Sequence, residues 1–220
     1  KIYNVTSKIL LQDENKAAGE LAGLSELANI AGAGSSASAF VLDQIDVMKS
    51  RRIFTKVVEQ NKLNTIYYNK GNVKTSELLE YQSPLRLVVL NQSNPALDSI
   101  QYNLTIKKKQ DKFIIEDEEF GVREYSLGQK INSSLGPIML LPQGNKGMES
   151  DLLISYVPVN KAVDDLLLAI QISPNKEKQS FVVNFSMNSG NINKAELILN
   201  SLIDQYNKDV TEDKTRISRA

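Results

Sequence analysis

The chain opens on a period of two: Tyr3, Val5, Ser7, Ile9 and Leu11 fall on one side, Ile2, Asn4, Thr6, Lys8 and Leu10 on the other. Alternation carried largely by β-branched residues predicts a strand. Between Ala17 and Ala39 the pattern dissolves into small residues, with Gly19, Gly23, Gly32 and Gly34 among them. Glycine inside a helix costs about 1 kcal/mol relative to alanine, so at most a short helix is expected over Leu21–Ile30. From about Ala37 the spacing becomes helical, with Val41, Ile45 and Met48 at i, i+4 and i+7. Phe54, Val57 and Val58 continue an apolar stripe that is offset from the first. A bend near Ser50, which would cap a second helix reaching about Gln60, accounts for the offset.

Ile66, Tyr67 and Tyr68 predict a strand that closes in a turn at Asn69-Lys70-Gly71. Five short apolar or alternating runs follow, at Leu85–Leu90, Ile100–Ile106, Phe113–Glu116, Val122–Tyr125 and Ile138–Leu141. Turn-rich pieces separate them, and Lys107 to Lys112 form a polar tip, so a β meander is expected. Val163, Leu166, Leu167 and Ile170 then fit a helix, with Asn160 as its candidate cap after Pro158. Leu168, Ile170 and Ile172 also alternate, so that helix should stop before Ile170 and give way to extended chain ending at Pro174. Phe181, Val183, Phe185 and Met187 predict another strand. Ile192, Ala195, Leu199, Leu202 and Tyr206 predict a long amphipathic helix.

The charge balance removes one class of partner. Lys plus Arg and Asp plus Glu each number 26, so the net charge is zero and no broad basic surface exists to track phosphates. Nucleic acid is not an expected partner. The chain has neither Cys nor His, which removes disulfides, thiolate nucleophiles, the commoner structural zinc sites and the usual general base. No window reaches the roughly 20 consecutive apolar residues that cross a bilayer. The start inside a strand pattern and the end just after a helix start predict a fragment of a longer protein.

No catalytic, cofactor-binding or metal-binding residue is assigned. Gly144-Asn145-Lys146-Gly147 and Gly32-Ala33-Gly34 lack the spacing of a phosphate loop. Glu116, Asp117, Glu118 and Glu119 are the residue types that ligate a hard cation or hydrolyse glycosides. Consecutive residues at a strand end point different ways, so a solvated strand end is expected instead. Lys49, Arg51 and Arg52 gather positive charge beside Asp46 and Glu59. They suit either a contact with a neighbouring subunit or anionic sugar, or simple cover for the exposed side of a helix.

The string Ile45-Asp46-Val47-Met48-Lys49-Ser50-Arg51-Arg52, followed by Ile53, Val57 and Val58, resembles a helix of the bacterial polysaccharide chain-length determinant family. Tyr67-Tyr68 with Gly71, Thr75-Ser76-Glu77-Leu78 and Ser83-Pro84-Leu85 resemble the segment that follows it in tyrosine autokinases of exopolysaccharide synthesis. Phe181 to Met187 and Asn191 to Asn207, with Asp213-Lys214 beyond, are similar to that family's last strand and helix. Val47 and Met48 depart from the more usual residues, and the meander is longer than in simple length regulators, which favours the kinase-bearing exporter type.

This resemblance implies an α+β fold, with a mixed or antiparallel sheet flanked by helices as a base domain over 1–84 and 143–220. The β meander over 85–142 would be an insertion. It implies a periplasmic domain of an inner-membrane polysaccharide co-polymerase, anchored by transmembrane helices outside this chain. Ring assembly with copies of itself would regulate the length or export of capsular, exo- or O-antigen polysaccharide. The implied partners are the polymerase, an outer-membrane exporter and the polysaccharide itself. No cofactor and no catalysis by this chain are implied; a tyrosine-kinase domain would lie elsewhere in the parent. The small-residue stretch from Ala17 to Ala37 and the helix from Ala39 to Gln60 are the candidate subunit contacts, with Arg51, Arg52, Lys49, Val41 and Ile45 as the residues concerned. The alternative is a carbohydrate-binding module of a cell-envelope protein, against which the absence of Trp and the 6% aromatic content weigh.

Overall fold

The computed structural model describes residues 1–11, 36–71, 74–109, 112–117, 119–144, 147–177 and 180–217. The expected small-residue segment therefore lies outside the described residues, apart from its last few positions. Among the described residues, twelve strands and four α-helices form, and their strand pairing is antiparallel, in three sheets. This corrects the expected fold: the chain is β-rich, not a helix-flanked base with one inserted meander. The reason lies in pairing. Segments that read locally as separate strands complete large sheets with partners far away in sequence.

The first sheet has the order β1 (Tyr3–Leu10), β12 (Val182–Ser189), β11 (Ile170–Pro174). Its register places Val5 opposite Met187 and Ile9 opposite Val183. The face carrying Val183, Phe185, Met187, Ile170 and Ile172 is buried. Four helices complete this core: α1 (Ser36–Met48), α2 (Arg51–Gln60), α3 (Val159–Ala169) and α4 (Ile192–Ile217). Val41, Ile45, Met48, Phe54, Val57, Leu199 and Leu202 all enter it, so the predicted helical stripes point inward as their spacing requires.

The second and third sheets share another core. Six strands run in the order β3 (Thr75–Leu78), β2 (Thr65–Lys70), β10 (Asp151–Tyr156), β5 (Tyr102–Lys109), β6 (Lys112–Asp117), β7 (Gly121–Tyr125). The smaller sheet is β4 (Leu85–Val89), β9 (Gly136–Pro142), β8 (Lys130–Ser133). Tyr67, Leu104, Ile106, Ile115, Leu152 and Ile154 from the large sheet meet Leu85, Ile131, Ile138 and Leu140 from the small one. Burying each such side chain contributes roughly 1.5–3 kcal/mol. Tyr67 also ties the sheets by a polar contact: its hydroxyl accepts the Leu87 amide at 3.2 Å. Burial pushes that hydroxyl up to about 12, so it stays protonated.

The five expected runs of the meander become β4, β5, β6, β7 and β9 but divide between two sheets. Strands β2, β3 and β10, from segments before and after it, lie in the same sheet as β5–β7. The β8–β9 hairpin reverses through Ser134 and Leu135, with Ser133 paired to Gly136. Gly136 sits at φ +86, and a Cβ there would stand 3.1 Å from Asn94 Nδ2, whose amide bonds the Leu135 carbonyl at 2.9 Å.

Candidate interaction surface

The bend between α1 and α2 is made by one extended residue. Ser50 has φ −63 and ψ 139, occupies the N-cap position of α2, and makes no side-chain cap bond. Its Oγ is buried without a partner. The expected bend is present, but the expected capping hydrogen bond is not. Extended backbone at Ser50 rotates the second helix relative to the first, and this lets both offset stripes face one core.

Val41 and Ile45 are 1% and 3% exposed, so both are core residues of the folded monomer. Lys49 is exposed, as are its neighbours Asp43 and Asp46. Among the described residues, the large apolar side chains exposed on α1 are Leu42 and Val47, at 51% and 39% exposure. Sequence reasoning missed them because it sought the buried stripe. The signal was there in the remainder, since both fall off the 41-45-48 spacing.

The arginines are committed within the chain. Arg51 pairs with Asp164 of α3, with both side chains half exposed. Such a pair contributes little to stability. Arg52 reaches Asp209 of α4 at 2.9 Å, and Lys56 reaches the same carboxylate at 2.8 Å. Gln205 Nε2 donates to it at 2.7 Å. The Asp209 side chain is only 2% exposed. Burial raises its pKa, but the hydrogen bonds from Lys56 and Gln205 and the charges of Arg52 and Lys56 outweigh this and hold it below the usual carboxylate range.

Asp209 thus contributes stability that is present above its unfolded pKa of about 3.9 and is lost as pH falls through the lower folded value. Asp209→Asn is expected to cost about 1–3 kcal/mol near neutral pH, in urea melts followed by circular dichroism. The gap from the parent should narrow as pH falls below the unfolded value of about 3.9 and through the lower folded one. A gap independent of pH would mean that shape rather than charge matters at this position.

The acidic run diverges as consecutive strand residues must. Glu116 pairs with Lys107 at 2.6 Å on the outer face, and Asp117 turns inward to accept the Tyr102 hydroxyl. Glu119 accepts from Ser134, and Glu118 lies outside the described residues. Among the described residues no cluster of three or more Asp or Glu could hold a metal ion. Gly144 is at φ +64 in a loop whose next two residues also lie outside the description.

Asn160 falls inside the first turn of α3, and Pro158 takes the N-cap position instead with no side-chain bond. The expected cap is corrected: proline supplies the extended backbone from which the helix starts. Among the described residues no helix is long and apolar enough to cross a membrane. Among the described residues, open surface hollows of about 470 to 560 Å³ are present. The one on the outer face of the six-stranded sheet is lined by Asn103, Thr105, Glu116, Asp117 and Leu153. No protein-family model matches the chain, and no curated protein matches it.

Proposed function

We propose that this chain is the periplasmic domain of an inner-membrane polysaccharide co-polymerase, acting by oligomeric scaffolding and not by catalysis. The observation that carries the reading is the order of the four resembling segments, at 45–58, 67–85, 181–187 and 191–207. The first, third and fourth contribute to one hydrophobic core, through Ile45, Val57, Phe185, Leu199 and Tyr206. They therefore act as one structural unit, which is what a scaffold role requires of them. Subunit contact is assigned to the outer side of α1, where Leu42 and Val47 are exposed beside Lys49. Arg51 and Arg52 are less suited to it, because their guanidinium groups already hold α3 and α4. The partners are further copies of the chain, the polymerase and an outer-membrane exporter, and a kinase domain belongs to the parent outside this chain.

In the full-length parent, in-frame deletion of residues 1–220 is expected to collapse or shift the length distribution of surface polymer on a gel. Leu42→Glu with Val47→Glu should shift it too, while the isolated domain keeps its melting temperature. An unchanged distribution in the deletion strain would overturn the co-polymerase reading. The carbohydrate-binding module stands as the second reading, and the hollow on the six-stranded sheet favours it.

A further inference from the structure

Among the described residues, the three sheets leave six edge strands: β1, β11, β3, β7, β4 and β8. An unpaired edge offers free N–H and C=O groups to any other strand, and folded proteins keep such edges short or blocked. Five of the six follow that rule. β3 and β8 are four residues long, and β4, β7 and β11 are five. On β4, side chains take the outward amides: Leu85 N–H donates to Ser83 Oγ at 3.3 Å and Leu87 N–H to the Tyr67 hydroxyl at 3.2 Å. β11 ends in Pro174. The bond from the Asn175 N–H to the Val182 carbonyl, at 2.9 Å, sets the alternation so that Pro174 faces outward and leaves no donor there.

β1 breaks the rule. It is eight residues long, holds neither proline nor glycine, and is paired on one side only among the described residues. Leu11 N–H donates to the Phe181 carbonyl at 2.9 Å, one step beyond the register of Leu10 with Val182. Bonded pairs alternate along an antiparallel ladder, so Tyr3, Val5, Ser7 and Ile9 exchange bonds with β12. Asn4, Thr6, Lys8 and Leu10 therefore turn both backbone groups to the open edge. Their side chains are exposed, with Leu10 at 69% and Ile2, just before the strand, at 77%. On the opposite face Val5 and Ile9 pack against the core yet stay only partly buried.

We infer that the open edge of β1 pairs with β1 of a second copy of this chain, antiparallel about a two-fold axis at Thr6, making one continuous six-stranded sheet. The strand is self-complementary in this register. Ile2 stands opposite Leu10 of the second copy and Leu10 opposite its Ile2, so the two exposed apolar side chains of the segment cover each other twice. Lys8 is the only charged residue of the strand, and it faces Asn4 of the second copy. On the core side Tyr3 meets Ile9 and Val5 meets Ser7, which extends cover over the partly buried row. Moving the axis to Ser7 would set Leu10 against Asn4, and moving it to Lys8 would oppose two lysines, which is unfavourable. A foreign strand could use the same backbone groups, but the reciprocal match of Ile2 with Leu10 selects a second copy. A two-strand contact is small, under about 1,200 Å² in total, so the dimer forms with rising concentration and is not permanent. The inference goes beyond the co-polymerase reading and does not depend on it, since the contact assigned there lies on α1.

The test begins with sedimentation velocity on the 220-residue chain, taken up to about 1 mM, where a species of twice the chain mass is expected to replace the monomer. Thr6→Lys sets two lysines against each other at the axis and should hold the chain monomeric, with its circular-dichroism spectrum unchanged. The chain has no cysteine, so single introduced thiols report the register. Thr6→Cys should cross-link to its own copy on mild oxidation, because residues bonded across the axis lie about 5.5 Å apart between Cα atoms. Lys8→Cys, about 13 Å from its own copy along the strand, should not. Leu42→Glu with Val47→Glu should leave the dimer intact. A monomer at every concentration, a dimer that survives Thr6→Lys, or cross-linking by Lys8→Cys in place of Thr6→Cys would overturn the inference. Loss of the dimer in the α1 double variant alone would also overturn it and leave the α1 contact standing. Loss in Thr6→Lys alone upholds the β1 pairing, whatever the deletion strain does to the polymer.

Discussion

Phe185→Ala is expected to destabilise the chain by about 3–5 kcal/mol, the range for deleting a fully buried phenylalanine ring. Phe185 is 1% exposed and sits on β12, the middle strand of its sheet, opposite Ser7 of β1 and Ile172 of β11. Neither neighbouring strand can move in to close the cavity without breaking its hydrogen bonds to β12. Helix α4 packs over both β1 and β12, so the void would also be roofed by a rigid element. In a chain of this size the melting temperature should fall by about 10 °C or more. Thr6→Ala, on the exposed face of the same sheet, should stay within about 0.5 kcal/mol of the parent. A loss below about 1 kcal/mol for Phe185→Ala in urea denaturation would mean that this core collapses around missing volume.

In the other core, Asp117→Ala should cost about 2–4 kcal/mol, and more than Tyr102→Phe, for which about 1 kcal/mol is expected. One Asp117 oxygen accepts the Tyr102 hydroxyl, and the other accepts the amides of Glu119 and Phe120 at 2.8 and 3.0 Å. Asp117 and Tyr102 are 7% and 4% exposed. Burial and the hydrogen bond to Asp117 push the Tyr102 hydroxyl upward, so it is a donor at every ordinary pH. Removing the carboxylate takes the acceptor from the Tyr102 hydroxyl of β5 and from two amides of the β6–β7 turn, whereas removing the hydroxyl leaves the carboxylate with two donors. The asymmetry follows from the cost of a buried donor without an acceptor. Equal losses in the two variants, measured by urea denaturation near neutral pH, would show that the turn amides find water and only the hydroxyl bond matters.

How far the chain could be read in advance varied by element. Strands β1 and β12 and helices α1, α2 and α4 were legible from period, because each turns one face to the core, and β2 from its run of Ile66, Tyr67 and Tyr68. The stop of α3 before Ile170 was legible too, since Leu168, Ile170 and Ile172 alternate and the strand begins at Ile170. β10 was not. Its sequence, DLLISY, is nearly continuous in apolar residues, which suits a central strand but equally a buried stretch of helix. Its place between β2 and β5 depends on both of those strands being present. β3 and β8 are four residues each, too short to carry a period. The candidate contact residues divided for the same reason: Val41 and Ile45 could be placed on one helical stripe, but nothing local says whether that stripe meets a partner subunit or the chain's own sheet.

Local pattern alone placed most of the strands and helices and the break between α1 and α2, because hydrophobic period and backbone preference are local properties. The sequence also excluded thiol, imidazole and broad cationic chemistry through composition alone. Only the tertiary structure decided that the strands sort into three sheets around two cores, that Arg52 and Lys56 are held by a buried Asp209, and that Tyr68, Leu153, Thr105 and Glu116 form one row. Those facts rest on antiparallel register between strands distant in the chain. A register shift of one residue would turn every side chain of a strand to the opposite face, and it is the shared burial of both sheets that selects among registers.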